Sequence, residues 1–407
     1  MPHRPQQTRA HVALGAVTVL LVAAGCSDTP SESGPTGGPA PSHANHDASI
    51  DAPIESGPGP ESPSSAGATT SSETNTAAPV SLDGTGVVSI SEQVATGLNT
   101  PWDVDFLPDG SALVSLRDQG KVMRLDRGTL TPVAADGPDG AVQDVWHRQE
   151  SGLLGLAIGP NQDVFLYLTT EVDNRVVRYE LAGDSLINPQ IILDGIPAGE
   201  THDGGRLAFG PDGYLYVSTG DARQTDLPQD TNSLAGKILR LTSEGEPAPG
   251  NPFGNEVWSF GHRNVQGLGW TSDGRMYASE FGENRYDELN LIEPGGNYGW
   301  PHIEGWAGHP DYVDPLVTWS TKEASPSGIA VTDAGIWMSA LRGERLWFVP
   351  FTGDGQVGAA VEHRLGLGRL RHVVTTPEGD VWVVTSNTDG RGDPREDDDQ
   401  IVRLGSH

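Results

Sequence analysis

Between Gly84 and Leu404 the chain alternates short runs of apolar, β-branched and aromatic residues with tight polar turns, and the runs keep a period of two, not 3.6. The clearest run is 215–219. Leu215, Val217 and Thr219 alternate there with Tyr214, Tyr216 and Ser218, after the turn Gly210-Pro211-Asp212-Gly213. Proline presets φ at one corner of such a turn and glycine accepts a positive φ at another. The same turn-then-strand unit recurs at 107–110, 159–161, 271–274, 332–335 and 376–379, predicting strands over 112–116, 164–169, 276–279, 336–339 and 381–385. Marker residues at 109, 161, 212, 273, 333 and 378 are spaced by 52, 51, 61, 60 and 45 residues. A period near ~50 residues is the mark of propeller blades, each a four-stranded sheet packed radially around a channel. Six marks predict an all-β fold, a six-bladed β-propeller over residues 84–407. The β-like stretches 86–90 and 400–404 predict that the ring closes by pairing the two ends of the chain in one blade. A β-sandwich or two separate β domains would not give one continuous repeat series.

The pattern stops before Gly84. Residues 26–83 are Ser, Pro, Gly, Ala, Thr and acidic residues with almost no large apolar side chains. Such a segment buries too little surface to offset its ordering entropy, and it reads as a disordered tether in which His43 and His46 are solvated. Residues 1–25 read as a signal peptide, with His3, Arg4 and Arg9 ahead of an apolar run from Val12 to Ala24. That run is short for a membrane-spanning helix. Ala23-Ala24-Gly25-Cys26 resembles a bacterial lipobox, with Ala where Leu is commoner. The resemblance implies cleavage before Cys26, lipidation of its thiol, and an extracytoplasmic protein held on the outer face of the cell membrane by that lipid alone. Cys26 is the one cysteine, so no disulfide can form within the chain.

Composition narrows the partners. With 25 basic and 55 acidic residues the formal charge is −30, which repels nucleic-acid phosphates.

The chemistry-bearing residues cluster between the predicted strands. His202 and Asp221 sit at opposite ends of one hairpin, which lets them meet at one rim as a general base held by a carboxylate. Glu150 precedes Gly152-Leu153-Leu154-Gly155. Gly261-His262-Arg263-Asn264-Val265-Gln266-Gly267 packs four polar side chains between two glycines. In Arg369-Leu370-Arg371 the strand period aims both guanidinium groups the same way. With Arg263 and Arg342 they form a cationic pocket suited to planar carboxylates or phosphates. Salt bridging to surface acids is the alternative use of the same arginines. Loops of a propeller converge on one rim, so residues distant in sequence can share a site.

The words PWDVDFLPDG, GLLGLAIGP, HDGGRLAFGPDGYLYVSTGD, LAGKILRL, GHRNVQGLGW, DELNLIEPGGNYGWP and GRLRHV run in order from Thr100 to the end of the folded part. In them the chain resembles the soluble quinoprotein glucose and aldose sugar dehydrogenases, the glucose/sorbosone dehydrogenase family. The resemblance implies a six-bladed propeller that binds pyrroloquinoline quinone (PQQ) and Ca2+ and oxidises aldose sugars at C1 to lactones. It assigns His202 as the base that takes the anomeric hydroxyl proton, Asp221 as the carboxylate orienting it, and Arg263, assisted by Asn264, as the residue at the quinone carbonyl. It assigns Arg369 and Arg371 to the cofactor carboxylates, Arg342 to the quinone in place of the commoner Lys, and Glu150 to the neighbourhood of substrate and cofactor. Glu288 and the backbone of Tyr298 match a structural calcium site. Two departures besides Arg342 stand out. The family's Gly-Glu-X-Gly-Pro stretch beside the cofactor calcium is here Gly282-Glu283-Asn284-Arg285-Tyr286-Asp287, shorter and without Gly-Pro. Thr201 stands where some relatives have a substrate-binding Asp. Two rival readings stay open at this point: a calcium-dependent propeller lactonase or other hydrolase, and a non-catalytic binding lipoprotein.

Overall fold

The computed structural model describes residues 82–353 and 356–406; the expected signal peptide, Cys26 and the tether up to residue 81 lie outside the described residues. Its strands form six four-stranded antiparallel sheets, and a 3-10 turn lies at Pro138–Gly140. Blade one is Pro101–Phe106, Ala112–Leu116, Lys121–Asp126 and Thr129–Val133. Blade two is Leu153–Ile158, Val164–Thr169, Asn174–Leu181 and Leu186–Ile196. Blade three is Leu207–Phe209, Leu215–Ser218, Lys237–Leu241 and Val257–Phe260. Blade four is Val265–Trp270, Met276–Glu280, Tyr286–Ile292 and Val317–Ser320. Blade five is Pro326–Val331, Gly335–Ala340, Arg345–Pro350 and Val361–His363. Blade six is Leu370–Thr375, Val381–Thr385 and Ile401–Ser406, completed by the N-terminal strand Val88–Ala95. The opening strand of each blade contacts those of its two neighbours, so the six close into a ring.

Each strand expected from a turn mark is the second strand of its blade, and the ends pair as expected, with Val88 opposite Ser406 and Ala95 opposite Ile401. Ala112–Leu116, Val164–Thr169 and Gly335–Ala340 are buried along their whole length. A sheet covered on both faces buries both sets of side chains, which is why these strands read as nearly continuous apolar runs. The apolar core accordingly lies in six seams, one between each pair of adjacent blades. Phe165, Tyr167, Leu207 and Val217 fill the seam of blades two and three, and Val104, Val114, Val384 and Ile401 the seam that closes the ring. Each fully buried side chain of this kind contributes roughly 1.5–3 kcal/mol. Leu82, assigned to the tether from sequence, is buried in the seam of blades five and six, and the Gly84 carbonyl lies 2.9 Å from His363 Nε2. The folded part therefore begins at least two residues earlier than the composition change indicates.

The inner strands meet in a buried polar cluster. Asp103 of blade one ion-pairs with Arg206 and lies 3.2 Å from His372 Nε2 of blade six, while its other oxygen accepts the Leu156 N–H of blade two at 3.0 Å. Arg206 donates from Nε to the Gln266 carbonyl of blade four and stacks 4.2 Å from the Trp102 ring centre. Burial pushes the Asp103 carboxyl up to about 6 despite Arg206, and burial together with Arg206 holds His372 neutral.

Candidate active site

The stretch from Thr201 to Asp221 is shaped by its glycines. A Cβ on Gly220 would lie 1.8 Å from the His202 carbonyl oxygen, so only glycine lets the strand end pass this close to the histidine backbone. Gly204 and Gly205 take positive φ, and His202 itself sits at φ +65°. A non-glycine residue held in that region is strained, and such strain persists only where the surroundings over-determine it. Here the Ala222 N–H donates to the His202 carbonyl at 3.1 Å, and the His202 N–H donates to Glu150 Oε2 at 3.2 Å.

The histidine and aspartate do meet. His202 Nδ1 lies 2.7 Å from Asp221 Oδ1, which leaves Nε2 as the ring nitrogen available to a ligand. Asp221 Oδ1 also accepts the Arg223 N–H at 2.8 Å, and Oδ2 accepts the Trp300 indole N–H at 2.8 Å. Burial alone would raise the Asp221 carboxyl, but the His202 hydrogen bond and charge, the Arg223 N–H and the Trp300 indole outweigh it and hold it below its ordinary value.

His202 lines a cavity of about 400 Å³ together with seven arginines and the carboxylates of Glu150, Glu283, Asp287 and Asp389. Cations outnumber anions there, although the chain as a whole carries −30. Every cofactor-binding residue expected from sequence is present: Glu150, Arg263, Asn264, Arg342, Arg369 and Arg371 all line this one cavity. Arg263 is fixed through its backbone, its N–H donating to Glu280 and its carbonyl accepting the Asp221 N–H. Its Nε is buried without a partner, and burial pulls the guanidinium down from its ordinary value against Asp221, Glu283 and Glu280. Asn264 Oδ1 accepts the Gly204 N–H at 3.0 Å. Arg369 donates to Asp389 Oδ2 at 2.9 Å; Arg371 reaches the same oxygen at 3.8 Å and donates to Gln266 Oε1 at 2.9 Å. Arg371 Nε is a second buried donor without a partner, and burial with Arg117 and Arg369 nearby pushes this guanidinium down to about 9. Arg342 is exposed.

The expected calcium residues line an adjoining cavity that shares Arg263, Phe281 and Gly282 with this one. In this much smaller cavity, about 10 Å³, Glu288 and Tyr298 are joined by Glu280 and Glu304. Glu288 accepts the Gly305 N–H at 2.7 Å and the Asn290 amide at 3.2 Å; burial and Glu280 push its carboxyl up to about 8. The shortened stretch 282–287 is organised by a residue that sequence reasoning passed over. Glu304 Oε1 accepts the N–H groups of Glu283, Asn284, Arg285 and Tyr286, at 2.8, 3.0, 2.9 and 3.1 Å. Asp287 has both oxygens taken by backbone N–H groups, those of Gly282 at 2.9 Å and Ser325 at 2.6 Å. Sequence reasoning also passed over Trp300, Asp389 and Arg391. The run Ser386-Asn387-Thr388-Asp389-Gly390 after a blade strand is the kind of polar loop that could have pointed to Asp389.

Chemically, the site offers a base with its far nitrogen anchored, and beside it an array of guanidinium groups with two unsatisfied buried donors. That combination is suited to taking a hydroxyl proton next to a polyanion.

Comparison with known proteins places the chain. A family model described as Glucose / Sorbosone dehydrogenase matches residues 98–397. Among solved structures, the PQQ-bound form of aldose sugar dehydrogenase from Streptomyces coelicolor is similar at 47% identity and a TM-score of 0.74, covering 79% of this chain and 98% of that one. The aldose sugar dehydrogenase YliI of Escherichia coli is 28% identical over 72% of this chain and 89% of its own length. Quinoprotein glucose dehydrogenase B of Acinetobacter calcoaceticus is 29% identical, over 60% of this chain and 59% of its own length.

Proposed function

The chain belongs to the glucose/sorbosone dehydrogenase family, and on that premise we propose that its cavity binds PQQ and an aldose sugar and oxidises the sugar at C1 to the lactone. The observation that carries this is the opening of the His202–Asp221 pair onto the same cavity as Arg263, Arg369 and Arg371. The residues fit the cofactor. It is a planar tricarboxylate, and the buried Nε groups of Arg263 and Arg371 are donors that a carboxylate or carbonyl oxygen would satisfy. Arg369 and Arg371 would hold its carboxylates, and Arg342, with Asn264 assisting Arg263, would stand at the quinone. Bound there, the quinone supplies the acceptor for the hydride that leaves sugar C1. His202 Nε2 takes the C1 hydroxyl proton. Asp221 keeps the Nδ1 proton in place and stabilises the imidazolium that results. Arg263 offers positive charge where negative charge develops.

Calcium enters this proposal at Glu288 and the backbone of Tyr298, where oxygen donors suit a hard cation. Calcium chelation should lower the melting temperature of the wild-type protein and leave that of Glu288→Gln unchanged. The stretch 282–287 lacks the Gly-Pro of the family's cofactor-calcium stretch, and no second calcium is carried into this proposal. The hydrolase reading needs several carboxylates free to ligate one cation in the cavity. It is not carried forward, because the family model and the 47% identical aldose sugar dehydrogenase support sugar oxidation instead. We also propose that the enzyme is extracytoplasmic and lipid-anchored at Cys26; Cys26→Ser should release it into the medium.

The deciding experiment is a titration of the purified protein with PQQ followed by absorbance. Stoichiometric binding and bleaching by an aldose, with His202→Ala sparing the binding and abolishing the bleaching, is the expected result. No binding at high micromolar quinone would sink the proposal and return the scaffold reading.

A further inference from the structure

Trp300 has no part in the chemistry above, yet it touches both halves of it. Its indole N–H donates to Asp221 Oδ2 at 2.8 Å, and the Arg263 guanidinium stands 5.3 Å from its ring centre. The residue is itself anchored at both ends. Its backbone N–H donates at 2.8 Å to the carbonyl of Gly261, two residues before Arg263. Its carbonyl accepts the Gln229 amide at 2.7 Å, and Gln229 in turn exchanges hydrogen bonds with Asn297 at 3.0 and 2.9 Å. Gly299 precedes it at φ +86°, and the indole reaches Asp221.

A carboxylate rotates easily about its last torsion, because a terminal sp³–sp² bond has broad wells. Asp221 Oδ1 is fixed by His202 and the Arg223 N–H, and Trp300 is the donor that fixes Oδ2. The ring face is a separate handle, because a guanidinium is drawn to the negative face of an indole. Packing alone would be served by any large apolar side chain.

We propose that Trp300 is the positioning residue that sets the His202–Asp221 base and Arg263 in fixed relation to each other, through its N–H edge and its ring face respectively. The inference rests on the dehydrogenase reading and deepens it. The base must meet the hydroxyl and the guanidinium must meet the developing charge of one reaction, and a single rigid indole registers the two.

Two variants separate the edge from the face. Trp300→Phe keeps an aromatic face and deletes the N–H. Trp300→Leu deletes both. In the full-length protein, W300F should bind PQQ with wild-type affinity by absorbance titration, keep the KM for sugar within about twofold, and lose kcat by about tenfold or more, the scale for losing a hydrogen bond to a charged group. W300L should lose kcat equally and bind PQQ about tenfold more weakly. A second readout needs no cofactor: the downfield proton resonance of the His202–Asp221 hydrogen bond, identified by its loss in Asp221→Asn, should shift or broaden in W300F. Wild-type kcat and an unmoved resonance in W300F overturn the inference. So does a W300F that loses PQQ affinity and kcat in the same proportion, which is the mark of a structural residue. Failure of the wild-type protein to bind PQQ would count against the dehydrogenase reading instead, and the resonance would still decide the role of Trp300.

Discussion

Arg391 and Glu150 lie 241 residues apart in the chain and form an ion pair at the cavity, joining the loop that leads into blade two to the last loop of blade six. The other oxygen of Glu150 accepts the His202 N–H, so the loop carrying the base is tied to the ring closure. Burial would raise the Glu150 carboxyl, but Arg391 and the His202 N–H overcome that and keep it ionised.

Glu150 is therefore an ionised carboxylate in a cavity built for a polyanion, which fixes the sign of a prediction. Glu150→Gln keeps an acceptor for the His202 N–H and removes the charge. PQQ should bind several-fold more tightly to it at low salt, with the gain shrinking as salt screens the cavity. The melting temperature should hardly move, because the Arg391 partner is half-exposed and such pairs contribute about 0–1 kcal/mol. An absorbance titration at two salt concentrations checks this; weaker binding would mean that the ionised carboxylate itself contacts cofactor or substrate.

His202→Ala should lower kcat/KM for the sugar by about 10²–10⁴-fold, the usual contribution of a general base. PQQ affinity should be retained, since the guanidinium groups are untouched. Asp221→Asn should fall in the same range, because an amide at Oδ1 no longer compels the Nδ1–H tautomer that leaves Nε2 free. Dye-coupled assays beside absorbance titrations separate the two effects, and a loss of quinone binding in either variant would place the pair in the cofactor site.

The fold was readable because each blade repeats a turn whose chemistry is local: Pro, Asp and Gly stand where φ must be fixed or positive. The His202–Asp221 pair was readable because both residues flank one hairpin, and Arg369 with Arg371 because the strand period aims them together. What escaped was non-local. Trp300 reaches Asp221 across 79 residues, and Arg391 reaches Glu150 across 241. Local patterning says nothing about which loop tips of a closed ring meet. The Leu82 boundary escaped for a related reason, since one buried side chain does not alter the composition of a polar segment.

Asp203 gives a pH prediction. Oδ1 accepts the Asn174 amide at 3.0 Å and the Gly199 N–H at 2.9 Å, while Oδ2 is buried without a partner. Burial pushes this carboxyl up to about 6, well above its ordinary 3.8. The folded state thus binds the proton more tightly than the unfolded state. The penalty of ionising Asp203 is present in full above about pH 6 and is relieved as the pH falls from there toward 4. Asp203→Asn should raise the melting temperature at pH 8, change it little at pH 4.5, and flatten the profile between. Equal shifts at both pH values would show that the effect is not ionisation.

Arg371 yields the sharpest separation of stability from function. In the cofactor-free protein its guanidinium is buried beside Arg117 and Arg369, with Gln266 and a distant Asp389 as partners and Nε unsatisfied. Holding that charge there costs folding free energy at neutral pH, because its folded value of about 9 lies well below the ordinary arginine value and the group is charged in both states. A carboxylate of the cofactor would supply the missing acceptor. Arg371→Met should therefore leave the melting temperature of the cofactor-free protein unchanged or higher, while weakening PQQ binding by roughly 10–100-fold, the scale of a hydrogen bond between charged groups at 1.5–3 kcal/mol. The thermal shift that PQQ gives the wild-type protein should shrink correspondingly. Arg371→Lys should recover only part of the affinity, since an ammonium keeps the charge but not the planar fork. Scanning calorimetry with and without PQQ tests all three. A variant that melts many degrees lower yet binds PQQ as the wild-type protein does would make Arg371 a structural residue and remove it from the cofactor site.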